Sequence, residues 1–290
     1  MRWTPGGESQ DIEDRRDQGG GGGGGFGFGG MKLGIGGIII LGILSLLFKQ
    51  NFFALLGGGG GGTPSGAVAT SRPNPARDAS EQSLVQFVSF VLDDTQKNWT
   101  AILPQQSGVP YRHAKLVLFR DATQSGCGGA DAATGPFYCP ADEKVYIDLG
   151  FYNELKQRFG APGEFAQAYV LAHEIGHHVQ KIIGVESKVR QLQGANPRNA
   201  NGYSVALELQ ADCFAGIWAH TTQQRGLLEE GDIQSALGAA AAVGDDRLQK
   251  MATGHVTPDS FTHGTSQQRM MWFRKGFDNG TIAACNTFGD

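Results

Sequence analysis

The 290-residue chain has no basic surplus: 24 Lys and Arg stand against 28 Asp and Glu, a formal net charge of −4. Without that surplus there is no electrostatic footprint for a phosphate backbone, so no nucleic acid is expected as a partner. No C-x-x-C pair occurs, which excludes a zinc ribbon. No internal repeat is evident either, which favours a single domain of catalytic size over a repeat array. The 45 glycines lack a collagen-like period; seven run together at Gly19–Gly25 and six at Gly57–Gly62, so they read as low-complexity spacers. A hydrophobic content of 40% is still enough for a real core.

Charge is also missing from LGIGGIIILGILSLLF, Leu33–Phe48, which lies between the two spacers. As a helix this run reaches about 24 Å, a little short of a ~30 Å hydrocarbon core. Lys32 and Lys49 can snorkel outward, and NFFALL (Asn51–Leu56) extends the apolar length with an interfacial aromatic pair. One transmembrane helix at residues 32–56 is therefore expected. A cleaved signal peptide fits poorly, because a long leader and a glycine gap separate AVA (Ala67–Ala69) from the start. Arg2, Arg15, Arg16 and Lys32 precede the run, which favours a cytoplasmic N-terminus and an extracytoplasmic domain from about Thr63 onward. The expected organisation is a Gly-rich tail (1–31), the membrane helix (32–56), a Gly-rich linker (57–77) and a domain (78–290).

Four cysteines bear on that placement. Cys127 and Cys139 bracket a loop of small residues that could close on itself in an oxidising compartment, leaving Cys213 and Cys285 to tie the C-terminus back. Four cysteines allow three pairings, and sequence does not choose among them. Within the domain, Leu84, Phe87, Val88, Val91 and Leu92 recur at helical spacing. AKLVLFRD (Ala114–Asp121) and KVYIDLGF (Lys144–Phe151) read as strands. Long helices are predicted over Glu164–Ile183 and Ser204–Arg225, with further helices at Glu186–Gln193, Asp232–Met251 and Thr265–Phe277. A few strands followed by a run of helices indicate an α+β fold, mostly helical with a small sheet.

On the Glu164–Ile183 helix lies LAHEIGHHVQ (Leu171–Gln180). His173 and His177 are one turn apart and project side by side, so both imidazoles can reach one ion at about 2.0–2.1 Å. Glu174 is displaced around the helix, where it can touch a water rather than the ion. This is H-E-x-x-H in the helical setting that its chemistry needs. A catalytic zinc requires a third protein ligand, and ELQAD (Glu208–Asp212) on the next long helix offers two acids one turn apart among apolar neighbours. Glu208 would complete a ligand set of two histidines and one glutamate. Asp212 would accept the second N–H of a ligand histidine and fix its tautomer. Gly176 and Gly216 would let neighbouring helices approach closely. His178 is expected at the surface.

HEIGHH followed by ELQADCFAG resembles the family of neutral zinc metallopeptidases, bacterial membrane-anchored proteins. MRWTPGGESQDIEDRR, GPFYCPADEKVYIDLGF and SFTHGTSQQR resemble it too, so the likeness spans almost the whole chain. It implies a zincin-like fold with Glu208 as third ligand, a bacterial inner-membrane location, and a Zn2+ cofactor. THGTSQQR is similar to a segment in peptidases that place a downstream histidine against the developing oxyanion, which makes His263 a second catalytic candidate beside Glu174. The competing reading is that Thr262–Ser266 only caps the following helix.

The expected activity is zinc-dependent hydrolysis of peptide or protein substrates, with Glu174 as general base. The Val145–Asp148 strand is expected to pair with an extended substrate along its edge. The rival reading is a membrane-tethered binding or scaffold protein with a structural or vestigial zinc site, against which the intact Glu174 argues. Hydrolysis of a non-peptide amide or ester is a third option that the motif leaves open.

Overall fold

A computed structural model describes residues 1–17 and 75–289. The expected membrane helix at 32–56 lies outside the described residues; among those, no helix is long and apolar enough to cross a membrane. The elements in chain order are β1 (Ile12–Asp14), α1 (Pro75–Ser107), β2 (Lys115–Phe119), β3 (Ala122–Ser125), β4 (Gly128–Asp131), β5 (Phe137–Cys139), β6 (Lys144–Asp148), α2 (Gly150–Gln157), α3 (Glu164–Ile182), α4 (Val185–Ala195), α5 (Ala200–Gln224), α6 (Asp232–Ala242), α7 (Asp245–Thr253) and α8 (Ser266–Asn279).

The main sheet has the order β1-β2-β6-β5, with β1, β2 and β6 parallel and β5 antiparallel to β6. β2 and β6 read as nearly unbroken apolar runs because both of their faces are covered. Leu116, Leu118, Val145 and Ile147 join the main helical core. Val117, Phe119 and Tyr146 point the other way into a second cluster with Cys139, whose disulfide to Cys127 ties down the β3–β4 hairpin.

The helical core is centred on α3 and α5. Phe165 stacks on Trp218, and Trp99 of α1 meets Phe214 edge-on. α5 and α8 are almost in backbone contact: a Cβ on Gly276 would come within 1.9 Å of the Cys213 carbonyl oxygen, and one on Gly216 within 2.1 Å of that of Phe273. The second disulfide, Cys213–Cys285, fixes the chain just beyond α8 to the same helix. The helix expected over Asp232–Met251 is two helices. Gly244 takes an extended conformation between them, and the Asp245 amide turns to the Gly264 carbonyl instead of continuing the α6 ladder.

Residues 1–17, expected to belong to a tail, are part of the fold. β1 forms the edge of the main sheet beside β2. Asp11 accepts from Lys115 Nζ at 2.7 Å and Gln96 Nε2 at 2.8 Å, and Glu13 accepts from Lys144 Nζ at 2.6 Å. Trp3 packs edge-on to Phe87 with ring centroids 5.3 Å apart. Residues 1–17 and the domain thus share one sheet.

Candidate metal centre

α3 and α5 cross where Gly176 faces Ala211. A Cβ on Gly176 would meet the Ala211 carbonyl oxygen at 3.0 Å, so the missing side chain lets the two helices close up. That approach brings Glu208 of α5 over the histidines of α3. His173 Nε2 lies 3.2 Å from Glu208 Oε2, and His177 Nε2 lies 3.5 Å from Glu208 Oε1. Suitable ligand atoms of all three side chains fall within 4.8 Å of one another. Ligands about 2.0–2.1 Å from a tetrahedral ion stand roughly 3.3–3.4 Å apart, so the two short separations suit a zinc ion and its two-nitrogen, one-oxygen donor set.

Each histidine is held from behind. His173 Nδ1 lies 2.8 Å from Asp212 Oδ1, the partner expected from sequence. Asp212 is fully buried and takes a bidentate pair from Arg269 of α8, at 2.8 and 2.9 Å, and a hydrogen bond from the Tyr169 hydroxyl. His177 Nδ1 faces Gln180 Oε1 at 2.8 Å; Gln180 in turn donates to the Leu207 carbonyl and to Gln210, which donates to the Cys285 carbonyl. Arg269, Tyr169 and Gln180 were not assigned roles from sequence. Gln180, three residues after His177, could have been found by helical spacing alone. Arg269 comes from a helix far along the chain, 96 residues from His173, and only the fold brings it in.

The electrostatics follow from this wiring. Burial works against charge on Asp212, but Arg269 and His173 outweigh it and hold the carboxyl below its usual range. For Glu208 the same burial is overcome by His177 and His173, which hold it well below. His173 loses charge through burial and regains it from Asp212 and Glu208, which together raise it to about 10. Glu174 is the exception. Burial raises its carboxyl, and the neighbouring imidazoles only partly counter that. A carboxylate with raised proton affinity suits proton transfer near neutral pH.

His173, Glu174, His177 and Glu208 line one cleft of about 480 Å³, which also receives His263. Asp245 holds the His263 turn: its Oδ2 accepts the backbone N–H groups of Thr262, His263 and Gly264, and its Oδ1 lies 3.1 Å from His263 Nδ1. Helix capping is done separately by Thr265 and Gln268, which form a reciprocal box at the start of α8. The capping motif and the cleft histidine thus coexist.

Two sequence expectations are corrected. His178 is not at the surface: it is fully buried, 3.0 Å from the Tyr138 hydroxyl and 2.8 Å from the Arg112 carbonyl oxygen. It points away from the cleft because its position on α3 is rotated about 100° from His177. The stretch Val145–Asp148 belongs to β6, which is interior, flanked by β2 and β5, so the outer edge beside the cleft belongs to β5.

Two imidazoles from one helix and a carboxylate from a second, braced by buried partners and opening on a cleft, define a candidate metal protein with a two-histidine, one-glutamate site. A family model described as "Putative neutral zinc metallopeptidase" matches residues 1–288, and the chain belongs to that family. Membership implies zinc as the metal. The chain is 49% identical over 290 residues to "Uncharacterized protein YpfJ" of Escherichia coli K12, covering all of this chain and 99% of that protein. It is 43% identical over 201 residues to "Uncharacterized protein Rv2575" of Mycobacterium tuberculosis H37Rv, covering 66% of each. No solved structure matches.

Proposed function

We propose that the protein is a zinc-dependent peptidase in which His173, His177 and Glu208 hold the ion and Glu174 is the general base. The observation that carries this reading is the convergence of Glu208 on the HEIGH helix, at 3.2 and 3.5 Å from the two imidazoles, with Glu174 in the same cleft. Bound zinc supplies a Lewis acid that polarises a carbonyl and acidifies water. Glu174 takes the proton of the attacking water and delivers it to the leaving nitrogen. Asp212 keeps the His173 Nδ1 proton in place so that Nε2 faces the ion, and Gln180 does the same for His177. His263, oriented by Asp245, turns toward the cleft as a donor for the developing oxyanion. β5 offers its outer edge to an extended peptide chain.

The disulfides support an oxidising compartment for the domain. We place the domain, with residues 1–17 in its sheet, on the outer face of the inner membrane. Membrane-impermeant thiol labelling of single cysteines introduced at Gln10 and at Asp259 in intact cells tests this: both sites must be labelled, and failure of either to react refutes it.

For the activity, the test is Glu174→Gln in the full chain, with zinc content and cleavage of an unstructured protein measured together. Retained zinc with cleavage reduced by a factor of about 10² or more is expected. Unchanged cleavage refutes the role of Glu174, and a wild-type chain that binds zinc but cleaves nothing refutes the peptidase reading.

A further inference from the structure

β5 is three residues long and pairs on one side only, with β6. An edge this short has few ladder hydrogen bonds of its own, so its side chains must fix its place beside the cleft. Those side chains alternate between the two faces of the sheet. Cys139 belongs to the smaller apolar cluster, where Phe137 packs against it and the disulfide ties it to Cys127. Tyr138 faces the other way, packs on the main helical core and lines the cleft. There its hydroxyl lies 3.0 Å from Nδ1 of the fully buried His178 of α3, with ring centroids 5.4 Å apart.

The His178 ring has a defined orientation. Nε2 lies 2.8 Å from the Arg112 carbonyl oxygen, which can only accept, so Nε2 carries the hydrogen and Nδ1 accepts from the Tyr138 hydroxyl. Tyr111 packs edge-on against the same ring at 5.6 Å. Arg112 completes the frame: its guanidinium donates twice, at 2.6 Å each, to Glu143 in the turn from β5 to β6. His177 and His178 are consecutive on α3, yet the first is turned to the ion site and the second to β5. We infer that His178 is a positioning residue: through Tyr138 it holds the β5 edge in a fixed place relative to the metal, so that a peptide paired with β5 presents its backbone to the ion. This rests on the peptidase reading, with β5 as the substrate edge. Burial alone would ask of this histidine only apolar packing and the Arg112 carbonyl; its second hydrogen bond runs to the residue of β5 that faces the helical core.

The test reads the coupling between this brace and backbone pairing. Zinc-loaded full-length Glu174→Gln is titrated with an unstructured peptide, and with the same peptide methylated on alternate backbone nitrogens, which removes the donors that a strand edge needs. Methylation is expected to weaken binding by about ten-fold or more. Adding Tyr138→Phe, which loses only the hydroxyl, should weaken the parent peptide by about three- to ten-fold and the methylated one far less, so the gap narrows. His178→Asn keeps an acceptor at the δ position and should preserve most of the gap. His178→Leu has none there and should narrow it as Tyr138→Phe does. Zinc content and melting temperature are followed for each variant. Equal weakening of both peptides marks a bond that serves the fold alone and overturns the positioning role, as does a folded His178→Leu that matches His178→Asn. Should the His178 variants fail to fold, Tyr138→Phe decides by itself. If methylation costs nothing, or no peptide binds, β5 is not the substrate edge and the inference falls. The peptidase reading falls separately, only if the zinc-loaded wild-type chain cleaves nothing.

Discussion

Replacing Asp212 by asparagine changes one atom at the point where three helices meet. In the wild type that carboxylate serves Arg269 through both oxygens, His173 through Nδ1, and the Tyr169 hydroxyl. Asparagine leaves the Arg269 guanidinium, only 3% exposed, without its counter-charge and turns an N–H₂ toward one of three donors. Removing one partner of a buried pair costs about 3–5 kcal/mol. For a domain of this size that lowers Tm by roughly 6–20 °C, at about 2–4 °C per kcal/mol. Metal affinity should fall separately, by about 10–100-fold, because His173 loses the acceptor that fixes its tautomer. The two effects can be told apart. A double variant, Asp212→Leu with Arg269→Met, removes both charges and should recover most of the lost stability. It should not recover zinc affinity. Scanning calorimetry in chelator gives the first quantity, and competition with a chromophoric zinc chelator gives the second. If Asp212→Asn keeps wild-type zinc affinity within a factor of about two, well short of the expected loss, the proposed bracing of His173 is refuted. If the double variant regains affinity, the carboxylate acts on the fold alone.

Two further outcomes follow from the packing and the charges. Gly276→Ala would drive a methyl group into the Cys213 backbone, where nothing flexible can move aside; a loss of about 1–3 kcal/mol or more is expected in denaturant titration, and an unchanged midpoint contradicts the near-contact of α5 and α8. Acid should undock residues 1–17. Burial favours the neutral forms of Asp11 and Glu13, but Lys115 with His113, and Lys144 with Arg15, more than offset it; Arg16 does the same for Asp14, so all three carboxyls titrate below their ordinary range. Lowered carboxyl values stabilise the docked state above the ordinary range of 3.8–4.5, and that support is lost as pH falls through the still lower folded values. Hydrogen exchange of the β1 amides should therefore lose protection with acid, sooner in high salt. Protection that instead falls on going from about pH 7 to about pH 9 contradicts the sign.

What could be read from the chain was local. His173, Glu174 and His177 declare themselves because a helix repeats about every 3.6 residues, so their mutual placement needs nothing beyond one turn of backbone. The same periodicity marks Glu208 and Asp212 as a costly pair on an apolar helix, and Gly176 and Gly216 as points of close approach. What the sequence could not supply was anything set by contact between distant segments. Arg269 reaches Asp212 only because α8 lies backbone to backbone on α5. His178 is buried because Tyr138 and Arg112 close over it. β6 is interior because a three-residue β5, too short to stand out in the sequence, pairs along it. Residues 1–17 read as a tail by composition, yet they join the sheet through β1, whose partners on β2 lie far along the chain at Leu116–Leu118. A strand that short is stable only once β2 is there to pair with, and that dependence on a remote partner is a property of the fold.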